Sequence, residues 1–78
     1  MNVIGERLTV LTSRDPTKMG LTGIVTMETL NTLLLDTSGR SLRVEKAGSA
    51  FMLLSSGQVL TGQDLKGRLQ DRLGRKRL

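Results

Sequence analysis

The chain has few side chains that can carry out covalent chemistry. Its 78 residues include no His and no Cys, so the usual general base and the thiolate nucleophile are missing. The seven acidic residues lie singly, without the spacing of paired catalytic carboxylates or metal ligands. An independent enzyme is therefore the least favoured interpretation, and we expect no cofactor or metal site in the protein.

One segment comes close to a phosphate-binding loop. Gly62 and Gly67 have the glycine spacing of that motif. Arg68 and Leu69, however, stand where the motif needs the Lys and the Ser or Thr that contact phosphate and magnesium. We interpret the match as coincidental.

Basic residues give a stronger signal, because they are unevenly distributed. The formal net charge is +5. Residues 1–65 hold six cations and six acids, whereas residues 66–78 hold six cations and one acid, so the whole excess lies at the C-terminus. Eight of the twelve cations are Arg, which binds phosphate through two parallel hydrogen bonds. A basic tail can serve solubility alone, but this distribution predicts a polyanionic partner.

Binding to a nucleic acid would have to use phosphates and overall shape. Phe51 is the only aromatic residue, and base-stacking surfaces need several exposed rings. Within the apolar run AFMLL, Phe51 is predicted to be core. Each cation taken singly is best interpreted as a solvated surface charge. Taken together, the predicted RNA-binding residues are Arg14, Lys18, Arg40, Arg43, Lys46, Lys66, Arg68, Arg72, Arg75, Lys76 and Arg77.

The elements that would position these residues are predicted to be strands. Glycines recur along the chain between short apolar segments, a pattern typical of a small β-sandwich or barrel. Residues 19–36 fit either one helix or two strands, but their threonines favour a hairpin that turns at Leu30 and Asn31. The predicted strands are 7–12, 22–29, 32–36, 41–45, 50–54 and 58–61, with a further hairpin turn at 37–40.

The C-terminus has a different pattern. Gly67 and Gly74 can bound a short helix, and Leu69 and Leu73 share one face of it. Such a helix needs docking to be stable. We therefore divide the chain into a β-barrel at 1–66 and a short basic helix and tail at 67–78, docked on the barrel.

The sequence lacks the features that direct a protein to secretion or into a membrane. The first residues lack the basic and apolar regions of a signal peptide, and no apolar run approaches the ~20 residues of a membrane span. The lack of Cys fits an intracellular setting. We expect a cytoplasmic protein with no membrane partner.

Five motifs, in order and at matching distances, make the chain resemble a known family. They are IGERLTVL, DPTKMGLTGIV, ETLNTLLLD, EKAGSAF and GRLQDRL. The combination is similar to the archaeal ribonuclease P protein component 1 family, whose eukaryotic counterpart is a subunit of nuclear ribonuclease P and of the related mitochondrial-RNA-processing ribonuclease. The resemblance covers nearly the whole chain.

The resemblance implies a fold and a function. The fold would be all-β: a small, strongly bent antiparallel barrel of the Sm-like type with a short C-terminal helix. The protein would be a non-catalytic RNA-binding subunit with two partners, the ribonuclease P RNA and a zinc-ribbon protein subunit that forms a heterodimer with it. The RNA, with magnesium, would remove the 5′ leader from precursor tRNA, which the protein would meet only indirectly.

Some positions depart from the family pattern. Leu30 stands where the family often has Arg, which removes a cation from that turn. Leu69 and Gln70 replace a usual Pro and Glu, so the helix start is less fixed.

The alternative interpretation is another Sm-like RNA-binding or protein-interaction module, such as a ribosome-associated adaptor or an RNA chaperone, which would form rings through its sheet edges.

Overall fold

Six antiparallel strands form the framework of the part of the protein that the structure describes. The computed structural model of the chain describes residues 3–67. The strands are β1 (Arg7–Thr12), β2 (Thr22–Glu28), β3 (Thr32–Thr37), β4 (Arg40–Glu45), β5 (Ala50–Leu53) and β6 (Val59–Thr61). A 3-10 helix at Pro16–Lys18 connects β1 to β2, and helical backbone, α1, covers residues 62–67.

The two central hairpins confirm the turns predicted from sequence. The β2–β3 turn is closed by Thr29 and Thr32: the Thr29 N–H donates to the Thr32 carbonyl at 2.9 Å, and their hydroxyls lie 2.6 Å apart. These bonds explain how the turn tolerates Leu30 between its strands. The β3–β4 turn places Ser38 and Gly39 at φ +54° and +81°, the pair of positive values that a type I′ hairpin requires.

The strands form one open sheet, which corrects the predicted barrel. Their order is β4-β3-β2-β1-β5-β6, every neighbouring pair being antiparallel. Among residues 3–67, β4 and β6 are therefore edges. Gly62, which follows β6, packs directly on the backbone carbonyl of Lys46, which follows β4. β6 ends after three residues, where the chain turns into α1, so it offers only a short edge for a closing ladder.

The core lies on the face of the sheet to which the buried apolar side chains point. Two β-bulges bend the strands: pairing shifts between Val10 and Thr12 in β1 and between Val25 and Met27 in β2. Phe51 is fully buried, as its sequence context predicted. The other buried apolar side chains are Val3, Leu8, Val10, Val25, Leu33, Leu35, Val44, Leu53, Leu60 and Leu65.

The C-terminal helix begins earlier than predicted. Helical backbone starts at Gly62, not at Gly67. The cause is a reciprocal cap: the Thr61 N–H donates to Asp64 Oδ2 at 3.1 Å, and the Asp64 N–H donates to Thr61 Oγ1 at 3.1 Å. Leu65 then buries its side chain in the core. The predicted helical residues beyond Gly67 lie outside the described range.

Candidate nucleic-acid interface

Three of the predicted RNA-binding cations line one cleft. Arg14 and Lys18 come from the β1–β2 loop, and Arg43 comes from β4, about thirty residues later in the chain. The cleft has a volume of ≈ 450 Å³, and its remaining lining residues are Ser13, Asp15 and Glu45. We call this set of six residues the basic cleft. The fold thus joins two groups of cations that the sequence shows only as separate clusters.

Asp15 organises the loop that carries Lys18. Its carboxylate caps the 3-10 helix: Asp15 Oδ1 accepts from the Thr17 hydroxyl at 2.7 Å and from the Thr17 N–H at 3.0 Å. Pro16 occupies the first turn, where its missing N–H is not needed. The hydroxyl bond above all, then the N–H bond and nearby Lys18, lowers the pKa of Asp15. Asp15 therefore stays ionised at neutral pH, and its carboxylate stabilises the loop through the two hydrogen bonds from Thr17.

Arg14 lies across Gly48, in the loop between β4 and β5. Gly48 has φ +72°, and a Cβ built there would lie 2.8 Å from both Cγ and Nε of Arg14. Part of this long, exposed side chain therefore lies against the loop between β4 and β5, at the side of the cleft.

Arg43 reaches the cleft through the alternation of β4. Val44 points into the core and Leu42 is half-buried, so Arg43 and Glu45 point outward. Arg43 also lines a second groove on the outer face, with Met27, Thr29, Thr32, Leu34 and Ser41. Three cations face two carboxylates in the cleft, and Asp15 already accepts two hydrogen bonds, so the cleft favours anions.

Lys46 requires a correction, because it does not share this surface. Its exposed fraction is 0%. Its ammonium donates to Glu28 Oε2 at 2.8 Å and to the Thr29 carbonyl at 2.7 Å. The Glu28 side chain is itself only 4% exposed. The predicted phosphate contact of Lys46 does not fit this buried position, and the residue's role here is to tie the end of β4 to the β2–β3 turn.

The remaining predicted cations lie away from the cleft or outside the described range. Arg40 is exposed at the start of β4, opposite Thr37. Lys66 is half-buried in α1. Neither lines the basic cleft. Outside the described range lie Arg68, Arg72, Arg75, Lys76 and Arg77.

Sequence reasoning missed the contribution of Gly48 to the cleft. The signal available was a glycine within the four residues that link two strands, but its contact with Arg14 depends on the fold. Within residues 3–67, no three acidic side chains cluster as a metal site would require. No helix in that range is long and apolar enough to cross a membrane.

Comparison with known proteins identifies the family. The family model "Ribonuclease P/MRP, subunit p29" matches residues 1–75. Ribonuclease P protein component 1 of Staphylothermus marinus is 39% identical over 75 residues, which span 91% of this chain and 82% of the relative. The protein of the same name from Sulfurisphaera tokodaii is 34% identical over 74 residues, which span 92% of this chain and 96% of the relative.

A third relative gives the same result. Ribonuclease P protein component 1 of Hyperthermus butylicus is 38% identical over 78 residues, which span 95% of this chain and 70% of the relative. These matches confirm the resemblance drawn from the five sequence motifs. The chain belongs to the family of the ribonuclease P/MRP subunit p29.

Proposed function

We propose that the protein is a non-catalytic, RNA-binding subunit of ribonuclease P that stabilises the catalytic RNA during removal of the 5′ leader from precursor tRNA. The observation that carries the proposal, within the family now established, is the basic cleft. It holds Arg14, Lys18 and Arg43 on one surface, although they come from two separate segments.

The chemistry of the cleft suits the RNA backbone. Two guanidinium groups offer paired donors to phosphate oxygens, and one ammonium group adds a point charge. The only aromatic side chain of the protein, Phe51, is buried, so base stacking has no ring to use. Contacts of this kind recognise the position and shape of a folded RNA more than its sequence. The basic residues beyond the described range would extend the same phosphate contacts.

The proposed partners are the ribonuclease P RNA and a zinc-ribbon protein subunit. Magnesium belongs to the RNA, and precursor tRNA is met through the holoenzyme. The outer groove offers the protein partner a suitable surface, because Met27 is 52% exposed there beside Leu34. Apolar side chains around a groove are typical of protein contacts.

Reconstitution tests the proposal. Adding the protein to the ribonuclease P RNA and its other subunits should lower the magnesium concentration needed for precursor-tRNA cleavage, because protein cations replace part of the screening by magnesium. The double variant R14A/R43A should lose part of this effect, because Lys18 and the C-terminal cations remain. R7A is the matched control, since Arg7 is exposed on β1 and does not line the basic cleft. An unchanged magnesium requirement with R14A/R43A would remove the cleft from the proposal.

A second candidate function is favoured by the open sheet edges. Within the described residues, β4 and β6 each lack a neighbouring strand on one side, and such edges pair readily with other chains. A ring-forming Sm-like module would use them. Native mass spectrometry separates the two: a hexamer or heptamer supports the module, and a monomer that pairs one-to-one with a zinc-ribbon protein supports the ribonuclease P subunit.

A further inference from the structure

The loop that connects β4 to β5 touches the basic cleft at one point. We call residues 46–49 the Lys46 loop. At Gly48 the backbone has φ +72°, and a Cβ there would lie 2.8 Å from Cγ and Nε of Arg14 and 3.2 Å from its Cδ. Three successive groups of the Arg14 side chain therefore rest on bare backbone. Any other residue at position 48 would both strain the loop and push Arg14 aside.

One end of the Lys46 loop is anchored in the protein interior. The Lys46 ammonium is held by Glu28 Oε2 at 2.8 Å and the Thr29 carbonyl at 2.7 Å. The Lys46 N–H donates to the Asn31 carbonyl at 2.8 Å. Three bonds thus connect the first residue of the loop to the β2–β3 turn, and the side chain that makes two of them is fully buried.

The other end is fixed by Ser49, which is also buried. The Ser49 hydroxyl donates to the Glu45 carbonyl at 2.7 Å, and its N–H donates to the Lys46 carbonyl at 3.1 Å. The Ser49 carbonyl accepts from the Gly62 N–H at 2.9 Å. Gly48 lies between two anchored residues, so its position relative to the sheet is set by the interior.

We propose that the Lys46 loop is a positioning device for Arg14. Gly48 is the surface on which the arginine lies, and Lys46 is the anchor that fixes that surface. Neither residue contacts RNA. A long arginine loses conformational freedom when it binds, and a side chain already held along its stem loses less. The significance for binding rests on the proposed function, whereas the positioning itself can be tested without RNA.

The first test compares two glycines with the same backbone geometry. Gly48 and Gly57 have φ +72° and +74°, but a Cβ at Gly57 meets nothing within 4 Å. G48A and G57A therefore carry similar backbone strain, and only G48A displaces Arg14. In ¹H–¹⁵N spectra of the free protein, the Arg14 Nε–Hε signal should move toward that of unrestrained arginine in G48A and stay in place in G57A. An unmoved signal in G48A overturns the proposal.

A measurement on the unmodified protein covers the case in which G48A does not fold. Nuclear Overhauser effects should connect the Gly48 Hα protons to the Hγ and Hδ protons of Arg14, because these groups are in van der Waals contact in the structure. Their presence supports the positioning of Arg14, and their absence overturns it.

The second test measures the consequence for RNA. G48A leaves the charge unchanged, so a purely structural effect should not alter how binding to ribonuclease P RNA depends on salt. If G48A takes Arg14 away from its phosphate, the slope of the logarithm of the binding constant against the logarithm of the salt concentration should become less steep by roughly one unit, as in R14A. The double variant R14A/G48A should flatten this slope no further than R14A alone.

The two ideas fail in different ways. If R14A leaves the slope unchanged, the proposed RNA contact at this residue is wrong, and the spectra of the free protein still decide the positioning. If R14A lowers the slope and G48A behaves like G57A, the cleft binds RNA but the Lys46 loop does not position Arg14.

Discussion

At the scale of single residues, the buried pair of Glu28 and Lys46 is the least expected feature. The position of Lys46 follows the alternation of β4, since Leu42 and Val44 precede it on the same side of the strand. The positive charge of Lys46 predicts an exposed position, whereas its spacing from Leu42 and Val44 predicts a buried one. The orientation of Glu28 could not be read in the same way. The bulge between Val25 and Met27 shifts the alternation of β2, and no local sequence pattern announces that shift.

Removing the lysine alone should destabilise the protein strongly. K46M leaves the Glu28 carboxylate buried without its cation, and breaking a buried pair in this way costs about 3–5 kcal/mol of unfolding free energy. The double variant E28Q/K46M removes both charges and should cost less than K46M. Urea titrations measure the unfolding free energy of both variants, and an unchanged denaturant slope (m value) shows that only stability has changed. K18M is the control, because Lys18 is a cation of the solvent-facing β1–β2 loop. Equal losses of stability for K46M and K18M would contradict the assignment of Lys46 as an interior anchor.

At the scale of elements, strands were easier to predict from sequence than their closure. The bounds of β1 agree with those predicted, because RLTVLT is rich in apolar and β-branched residues and is followed by Asp15 and Pro16. The hairpin turn at 37–40 was predicted from Gly39, whereas the positive φ of Ser38 is seen only in the structure. Whether β4 and β6 pair depends instead on how far two bulges bend the sheet and on where α1 interrupts β6. These are properties of several strands together, which a local pattern does not contain.

The start of α1, in contrast, is encoded locally. The prediction took Gly67 and Gly74 as the bounds of the helix and therefore missed the pattern that begins at Thr61. Thr61-Gly-Gln-Asp64 is a capping-box pattern, in which a Thr is followed three residues later by an acid. T61A should cost about 1 kcal/mol of stability, because it removes the oxygen that accepts the Asp64 N–H. T61S keeps that oxygen and should stay close to the unmodified protein. Thermal unfolding and amide exchange at residues 62–65 measure the difference. Equal behaviour of T61A and T61S would show that the cap contributes nothing.

At the scale of the whole molecule, the charge is divided into two parts. Residues 1–65 sum to zero, and the net charge of +5 lies in residues 66–78. The basic cleft is therefore a local concentration of cations within a part that is neutral overall. If the cleft and the C-terminal cations contact different phosphates, their contributions to the salt dependence of RNA binding should add.

A salt titration of RNA binding tests this division of labour. Removing the C-terminal charges in R75Q/K76Q/R77Q, which keeps the chain length, should flatten the log–log slope by roughly 0.7–0.9 for each phosphate that is no longer neutralised. R14A/R43A should flatten it independently, and the combined variant should show the sum of the two changes. R7A controls for the loss of an exposed cation elsewhere on the sheet. A combined variant no flatter than either set alone would mean that cleft and tail compete for the same phosphates. Binding that does not respond to salt would contradict a phosphate-based interface altogether, because neutralising phosphates releases counterions whatever the RNA sequence.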